Sequence, residues 1–157
     1  MSTTSVSDIE IKEVRLSPRM IAGLRKRVPV ADLADFFARA VPAVADELGR
    51  ARITPSGPPV SVYRQELGNT FEVTVGFPVT RMPATGRLTP MRLPGGRAVQ
   101  GVHVGSYATL PGMYAKLSEW FAGRHLQPPA MMWEEYLVGP DARGEAGCLT
   151  RVVFPLS

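Results

Sequence analysis

The sequence predicts an α+β fold in which one strand-helix-strand-strand module occurs twice along the chain. Two stretches carry apolar residues at spacings of three and four, as amphipathic helices do, and the runs around them alternate like strands. Both halves keep the same order of elements and close on a Phe-Pro pair, Phe77-Pro78 and Phe154-Pro155. We therefore expect a mostly antiparallel sheet with two helices on one face and a groove between the helices.

The duplication is also indicated by residues at similar separations. Gly23 and Gly101 are 78 positions apart, and Tyr63 and Tyr136 are 73 apart. We interpret residues 1–157 as one domain with half-repeats at about 9–80 and 91–157. In this arrangement Tyr63 and Tyr136 would approach the groove from opposite sides.

The first half is predicted to contain four strands and one helix. Strand patterns cover 9–15, 20–28, 60–65 and 71–79. From Val30 an apolar stripe predicts a helix of about five turns that ends at Gly49, with Pro42 kinking it locally. The stripe consists of Leu33, Phe36, Phe37, Ala40, Val41, Val44 and Leu48.

The second half follows a stretch at 81–96 that is rich in proline and glycine and is the best candidate boundary. A strand pattern at 97–105 precedes a helix that Thr109 can cap and Gly123 can end. The apolar stripe of this helix consists of Leu110, Met113, Tyr114, Leu117, Trp120 and Phe121. Two further strands, within 128–140 and 148–156, complete this half.

Composition excludes several classes of protein. Hydrophobic content of 45% and charged content of 20% are those of a globular domain, and no apolar run approaches a membrane span. We expect no signal peptide and a cytoplasmic location. Cys148 is the single cysteine, and His103 and His125 lack the spacing of zinc ligands, so we expect no metal and no cofactor.

The net charge of +4 is mostly scattered along the chain. Its densest cluster, Arg25-Lys26-Arg27, falls in a strand pattern that sends successive side chains to opposite faces. A solvated strand explains this cluster better than a phosphate-binding patch does. We therefore expect no direct DNA binding.

The stretch 128–140 places two adjacent carboxylates in an apolar and aromatic strand. Alternation puts Glu134 on one face with Met132 and Tyr136, and Glu135 on the other face with Trp133. A carboxylate in apolar surroundings is costly unless it is paired, so a ligand could bring the opposite charge. The alternative, in which both acids are wetted at a sheet edge, stays open at this stage.

Several segments in this order resemble the GyrI-like small-molecule-binding family. They are Gly57-Pro58-Pro59 before Tyr63, Val75 to Val79, His103 to Tyr107, and Trp133 to Leu137. The resemblance implies tandem modules with a groove for lipophilic, often cationic or aromatic compounds. It also implies an acidic counter-charge on the penultimate strand, which corresponds to Glu134.

The predicted ligand-binding residues combine this resemblance with the residue chemistry. They are Glu134, Tyr136, Tyr63, Trp133, Met132, Phe37 and Met113. Aromatic faces attract cations, and methionines can repack around different shapes. Trp133 has the strand parity opposite to that of Glu134, so its place in the groove requires a twist or a bulge.

The resemblance to this family implies three candidate functions. The first is a stand-alone binding module for sequestration or resistance, since about ten residues before the first strand leave no room for a helix-turn-helix domain. The second is hydrolysis of cyclopropane rings in DNA-alkylating natural products, with Glu134 or Tyr136 handling a proton. The third is a protein-interaction role, with DNA gyrase or a regulator as partner.

Overall fold

The computed structural model describes residues 11–66, 68–84 and 86–156. Two helices are present, α1 (Leu33–Arg50) and α2 (Leu110–Gly123). The strands are β1 (Lys12–Leu16), β2 (Arg19–Pro29), β3 (Val60–Gln65), β4 (Thr70–Val79), β5 (Thr89–Leu93), β6 (Gly96–Val104), β7 (Met131–Val138) and β8 (Leu149–Pro155). The chain divides into two compact units: β2 to β5 with α1 form the first, and β1 joins β6 to β8 and α2 in the second.

The sheet of the first unit has the strand order β3-β4-β2-β5. Helix α1 buries Phe36, Ala40, Val44 and Leu48, four of the seven residues in the stripe that the sequence predicts. Strands β2 and β4 approach closely where Gly23 pairs with Gly76. A Cβ at Gly76 would lie 2.0 Å from the Ala22 carbonyl oxygen, so this ladder requires glycine.

The sheet of the second unit has the corresponding order β7-β8-β6-β1. Helix α2 lies on one face of this sheet, and its buried residues share one apolar cluster with β6 and β8. The cluster consists of Val99, Met113, Leu117, Phe121, Val152 and Phe154. Strand-helix-strand-strand order and antiparallel pairing thus occur in both units, which confirms the predicted fold class.

The strand registers show which positions of the two units correspond. A shift of 77 residues carries the pair Ile21–Pro78 onto the pair Ala98–Pro155. The same shift carries Val73, the partner of Tyr63, onto Thr150, the partner of Tyr136. Tyr63 and Tyr136 therefore occupy corresponding positions, as the sequence predicts.

The register corrects the proposed match between two glycines. Gly23 pairs with Gly76, and the 77-residue shift carries this pair onto Gln100–Val153. Gly101 is therefore one position out of register with Gly23. A one-residue offset reverses the face of a strand, so spacing alone could not establish this match.

Some elements differ from the prediction. The stretch 81–96 contains β5, which pairs with β2, and β1 pairs with β6 of the second unit. Thr109 occupies the N-cap position of α2 without capping it, because its hydroxyl donates to the Ser106 carbonyl. Helix α1 contains Pro42, and the local kink there stays a prediction. The start of the strand predicted at 9–15 lies outside the described residues.

Neither helix of the described chain combines the length and the apolar character needed to cross a membrane.

Candidate functional site

The candidate site is built around the buried carboxylate of Glu134 on β7. Glu134 is 6% exposed, and its two oxygens accept from different phenols. The Tyr136 hydroxyl donates to Oε1 at 2.6 Å, and the Tyr114 hydroxyl donates to Oε2. These bonds orient the carboxylate, and both donors are neutral phenols.

The local secondary structure explains why these groups meet. Residues two apart on a strand share a face, so Met132, Glu134 and Tyr136 lie together on the side of β7 that faces α2. Tyr114 follows the buried Met113 on α2, and its hydroxyl also lies 3.8 Å from the Met132 sulfur. The apolar stripe of α2 thus places the Tyr114 hydroxyl against the Glu134 carboxylate.

Aromatic rings extend this cluster on both sides. The Tyr107 ring meets the Tyr136 ring edge to face, with centroids 6.2 Å apart. The Tyr114 ring meets Phe154 in the same way at 6.4 Å. Such contacts fix ring orientation and stabilise each pair by about 0.5–1.5 kcal/mol.

Tyr107 stays protonated over a wide pH range. Burial raises the pKa of Tyr107 to about 12, with contributions from its hydrogen bond to Cys148 and from the negative charges of Glu145 and Glu134. The Glu145 carboxylate accepts from the Tyr107 amide at 3.1 Å and from the Ser106 hydroxyl at 3.0 Å. These bonds hold the turn that precedes α2 and thereby position the Tyr107 ring.

Glu135 has a different environment on the opposite face of β7. It is 5% exposed, and Oε1 accepts from Arg151 at 2.9 Å while Oε2 accepts from the Trp133 indole at 3.0 Å. Trp133 itself is 1% exposed. The Trp133 ring therefore lies on the face of β7 opposite to Glu134 and its tyrosine partners, as the alternation of side chains along a strand predicts.

The remaining predicted residues divide between the two units. Met113 and Met132 lie with Glu134 in the second unit, Met113 buried and Met132 half-buried. Tyr63 and Phe37 lie in the first unit, where both pack on a cluster of Val28, Phe36, Ala40, Val73 and Val75. Contact of Tyr63 and Phe37 with the same ligand as Glu134 stays a prediction.

Sequence reasoning missed Tyr114 and Tyr107 as members of the site. Tyr114 belongs to the predicted apolar stripe of α2. Its hydroxyl is the signal for a polar contact, because a tyrosine hydroxyl that is buried usually finds a hydrogen-bond partner. Thr150 was also missed: it is fully buried beside Tyr136, and its hydroxyl has no hydrogen-bond partner among the described residues. The described residues contain no group of three acidic, histidine or cysteine side chains that could hold a metal.

Comparison with known proteins identifies the class. The profile of the GyrI-like small molecule binding domain matches residues 9–157. The chain belongs to this family, as the sequence analysis predicts. No curated protein matches the chain by sequence.

Solved structures show the same fold at low sequence identity. The EcmrR C-terminal domain superposes with a TM-score of 0.72 at 16% identity, over 93% of this chain and 96% of that one. SAV2435 bound to tetraphenylphosphonium gives 0.71 at 10% identity, over 94% of each chain. A hydrolase from Listeria innocua gives 0.61 at 11% identity, over 94% of this chain and 92% of that one.

The EcmrR chain in a structure of EcmrR bound to DNA matches 93% of this chain, with a TM-score of 0.72 and 18% identity. This chain covers only 56% of the length of that EcmrR chain.

Proposed function

We propose that this protein binds lipophilic organic cations, with Glu134 as the counter-charge. The observation that carries the proposal is the buried carboxylate of Glu134, held by the hydroxyls of Tyr114 and Tyr136. A charge screened by little water attracts a cation more strongly than an exposed one does. The negative faces of the adjacent rings add cation-π attraction of roughly 0.5–2 kcal/mol.

The arrangement suits cations that lack N–H donors. Each oxygen of Glu134 already accepts a hydrogen bond from a phenol, so the site does not need a hydrogen-bond donor on the ligand. A delocalised cation such as a phosphonium needs no hydrogen bond and can use the charge and the ring faces together. The tetraphenylphosphonium in the SAV2435 structure is a cation of this kind.

The test is calorimetric titration of tetraphenylphosphonium into the wild type and Glu134→Gln. We expect the variant to bind at least tenfold more weakly, which corresponds to about 1.4 kcal/mol. Glu119→Gln is the matched control, because Glu119 is an exposed acid on α2 and its loss removes the same net charge. Equal affinity of Glu134→Gln and the wild type would refute the electrostatic part of the proposal.

In the cell, a cytoplasmic binder of this kind would act by sequestering its ligand. Sequestration predicts that expression raises tolerance to a lipophilic cation in proportion to the amount of protein, and that Glu134→Gln removes the protection. A role through DNA gyrase predicts instead that protection persists in Glu134→Gln and that the protein co-purifies with gyrase.

Hydrolysis of a strained ring is a second candidate, and the hydrogen bond between Tyr136 and Glu134 favours it. A carboxylate 2.6 Å from a phenol can exchange a proton with it. The pair could therefore accept a proton from water while the water oxygen bonds to one ring carbon and the ring C–C bond breaks, and deliver a proton to the other carbon of that bond. Recovery of a cyclopropane-bearing compound with the added mass of one water, lost in Tyr136→Phe, would support this function. Recovery of the intact compound alone would exclude it for that compound.

A further inference from the structure

We propose that the second unit carries a separate binding site for a small apolar carboxylate, at the C-terminal end of α2. A cavity of about 400 Å³ opens there between the end of α2, the start of β6 and the end of β8. Ligand pockets are roughly 300–1,000 Å³, so this cavity suits a medium-chain or single-ring compound. It is lined by Arg97, Phe121, Leu126, Gln127, Pro129, Pro155 and Leu156.

One part of the cavity wall is apolar. Phe121 belongs to the buried core of the unit, while Leu126 is 45% exposed and is among the most exposed large apolar side chains of the described chain. Two prolines and Leu156 complete this wall without adding a side-chain hydrogen-bonding group. Covering Leu126 and the adjoining surface with an alkyl chain or a ring would remove apolar area from water.

The other part of the wall carries hydrogen-bond donors. The side chain of Arg97 is 55% exposed, and its Nε donates to Glu13 at 3.0 Å. Within the described residues its Nη groups and the Gln127 amide make no hydrogen bond. A guanidinium fork beside an amide donor fits a carboxylate, which accepts through both oxygens.

The charge around this donor pair is positive. The pKa of Glu13 is lowered mainly by its hydrogen bond from Arg97, and also by the positive charges of Arg97, Arg124 and Arg15. The positive charges of these three arginines therefore act on the same carboxylate. Arg124 is held in place over the Trp120 ring at 4.1 Å, so part of this charge is fixed close to the cavity. An anion is attracted to such a surface and a cation is repelled.

This site is distinct from the cation site around Glu134. Phe121 lies seven residues beyond Tyr114, or about 10 Å along the helix. The two sites also select opposite charges. The carboxylate site therefore stands or falls independently of the proposed function.

The test compares decanoate with decanol, since the two share a chain length and differ in charge. Titrations below the micelle concentration of decanoate should show decanoate binding at least tenfold more tightly than decanol. Arg97→Gln should abolish this difference, and Leu126→Ser should weaken both compounds. Arg143→Gln is the control, because Arg143 lies in an exposed turn and its loss removes the same charge.

The proposal is overturned if decanol binds as tightly as decanoate, if neither compound binds, or if Arg143→Gln weakens decanoate as much as Arg97→Gln does. Arg97→Lys guards against a folding defect, because it keeps the positive charge and should retain part of the preference for decanoate. Tetraphenylphosphonium should not displace decanoate, whereas competition would assign both ligands to one site and refute the separate one. Loss of cation binding in Glu134→Gln with decanoate binding intact would show that the two sites are independent.

Discussion

Glu134 and Glu135 are adjacent, equally buried and chemically identical, yet the structure predicts opposite consequences for their replacement by glutamine. Glu135→Gln removes the charged partner of Arg151 and weakens the acceptor of the Trp133 indole. Breaking a fully buried ion pair costs about 3–5 kcal/mol, and the 33% exposure of Arg151 lets water compensate part of that loss. We therefore expect Glu135→Gln to lower the free energy of unfolding by about 2–3 kcal/mol.

Glu134→Gln should change the stability much less. One of its two hydrogen bonds changes from charge-assisted to neutral, and the other reverses, because the amide nitrogen of glutamine must donate to a phenol oxygen. Each change costs about 1 kcal/mol. In the opposite direction, the variant no longer buries a carboxylate beside aromatic rings. We expect these effects to cancel to within about 1 kcal/mol.

Urea denaturation of both variants and of the exposed control Glu119→Gln measures this difference. Ligand titration of the same proteins completes the comparison: Glu134→Gln should lose the cation and Glu135→Gln, while folded, should keep it. If Glu134→Gln loses as much stability as Glu135→Gln, the carboxylate of Glu134 is a structural group and the site has been misassigned.

Three further predictions concern single positions. Thr150→Val replaces a buried hydroxyl that has no partner among the described residues with a methyl group of the same shape. The variant should raise the free energy of unfolding by about 1 kcal/mol in urea denaturation, whereas a lower free energy of unfolding would show that the hydroxyl is hydrogen-bonded. Gly76→Ala should leave little soluble protein, because its Cβ would meet the backbone of β2, and normal expression with an unchanged melting temperature would contradict the strand pairing. Tyr107→Phe should remove from the ultraviolet titration a tyrosine that ionises at about pH 12. Because the raised pKa of Tyr107 means that folding favours its protonated form, its contribution to stability should be complete below pH 10 and lost as the pH rises through 12.

The sequence predicted the face of each glutamate but not all of its partners. Strand alternation has a period of two, so it separated Glu134, Met132 and Tyr136 from Glu135 and Trp133. Arg151 could not be assigned to Glu135 because that contact depends on the register between β7 and β8. Tyr114 could not be assigned to Glu134 because helix rotation about its axis is set by packing, which a single sequence does not give.

Strand β5 was missed for a different reason. Its second residue is Pro90, in a stretch rich in proline and glycine, a composition typical of loops. The structure places β5 at the end of the sheet of the first unit, where it pairs with β2. A proline is tolerated in an edge strand because one side of the strand needs no hydrogen-bond donor.

The first unit has no acidic residue at the positions that correspond to the two buried glutamates of the second unit. The register carries Glu134 onto Ser61, and the ion pair Glu135–Arg151 onto the buried pair Val62–Thr74. The same module thus folds in the first unit with neither carboxylate. A well-packed apolar pair often replaces a buried ion pair without loss. Because Glu135 also accepts from the buried Trp133 indole, the test uses a Trp133→Phe background, in which no indole loses its acceptor. In that background Glu135→Val combined with Arg151→Thr should recover most of the stability that Glu135→Gln loses. Recovery would assign the ion pair to holding β7 in place, and failure to recover would show that the second unit depends on the charges for its own packing.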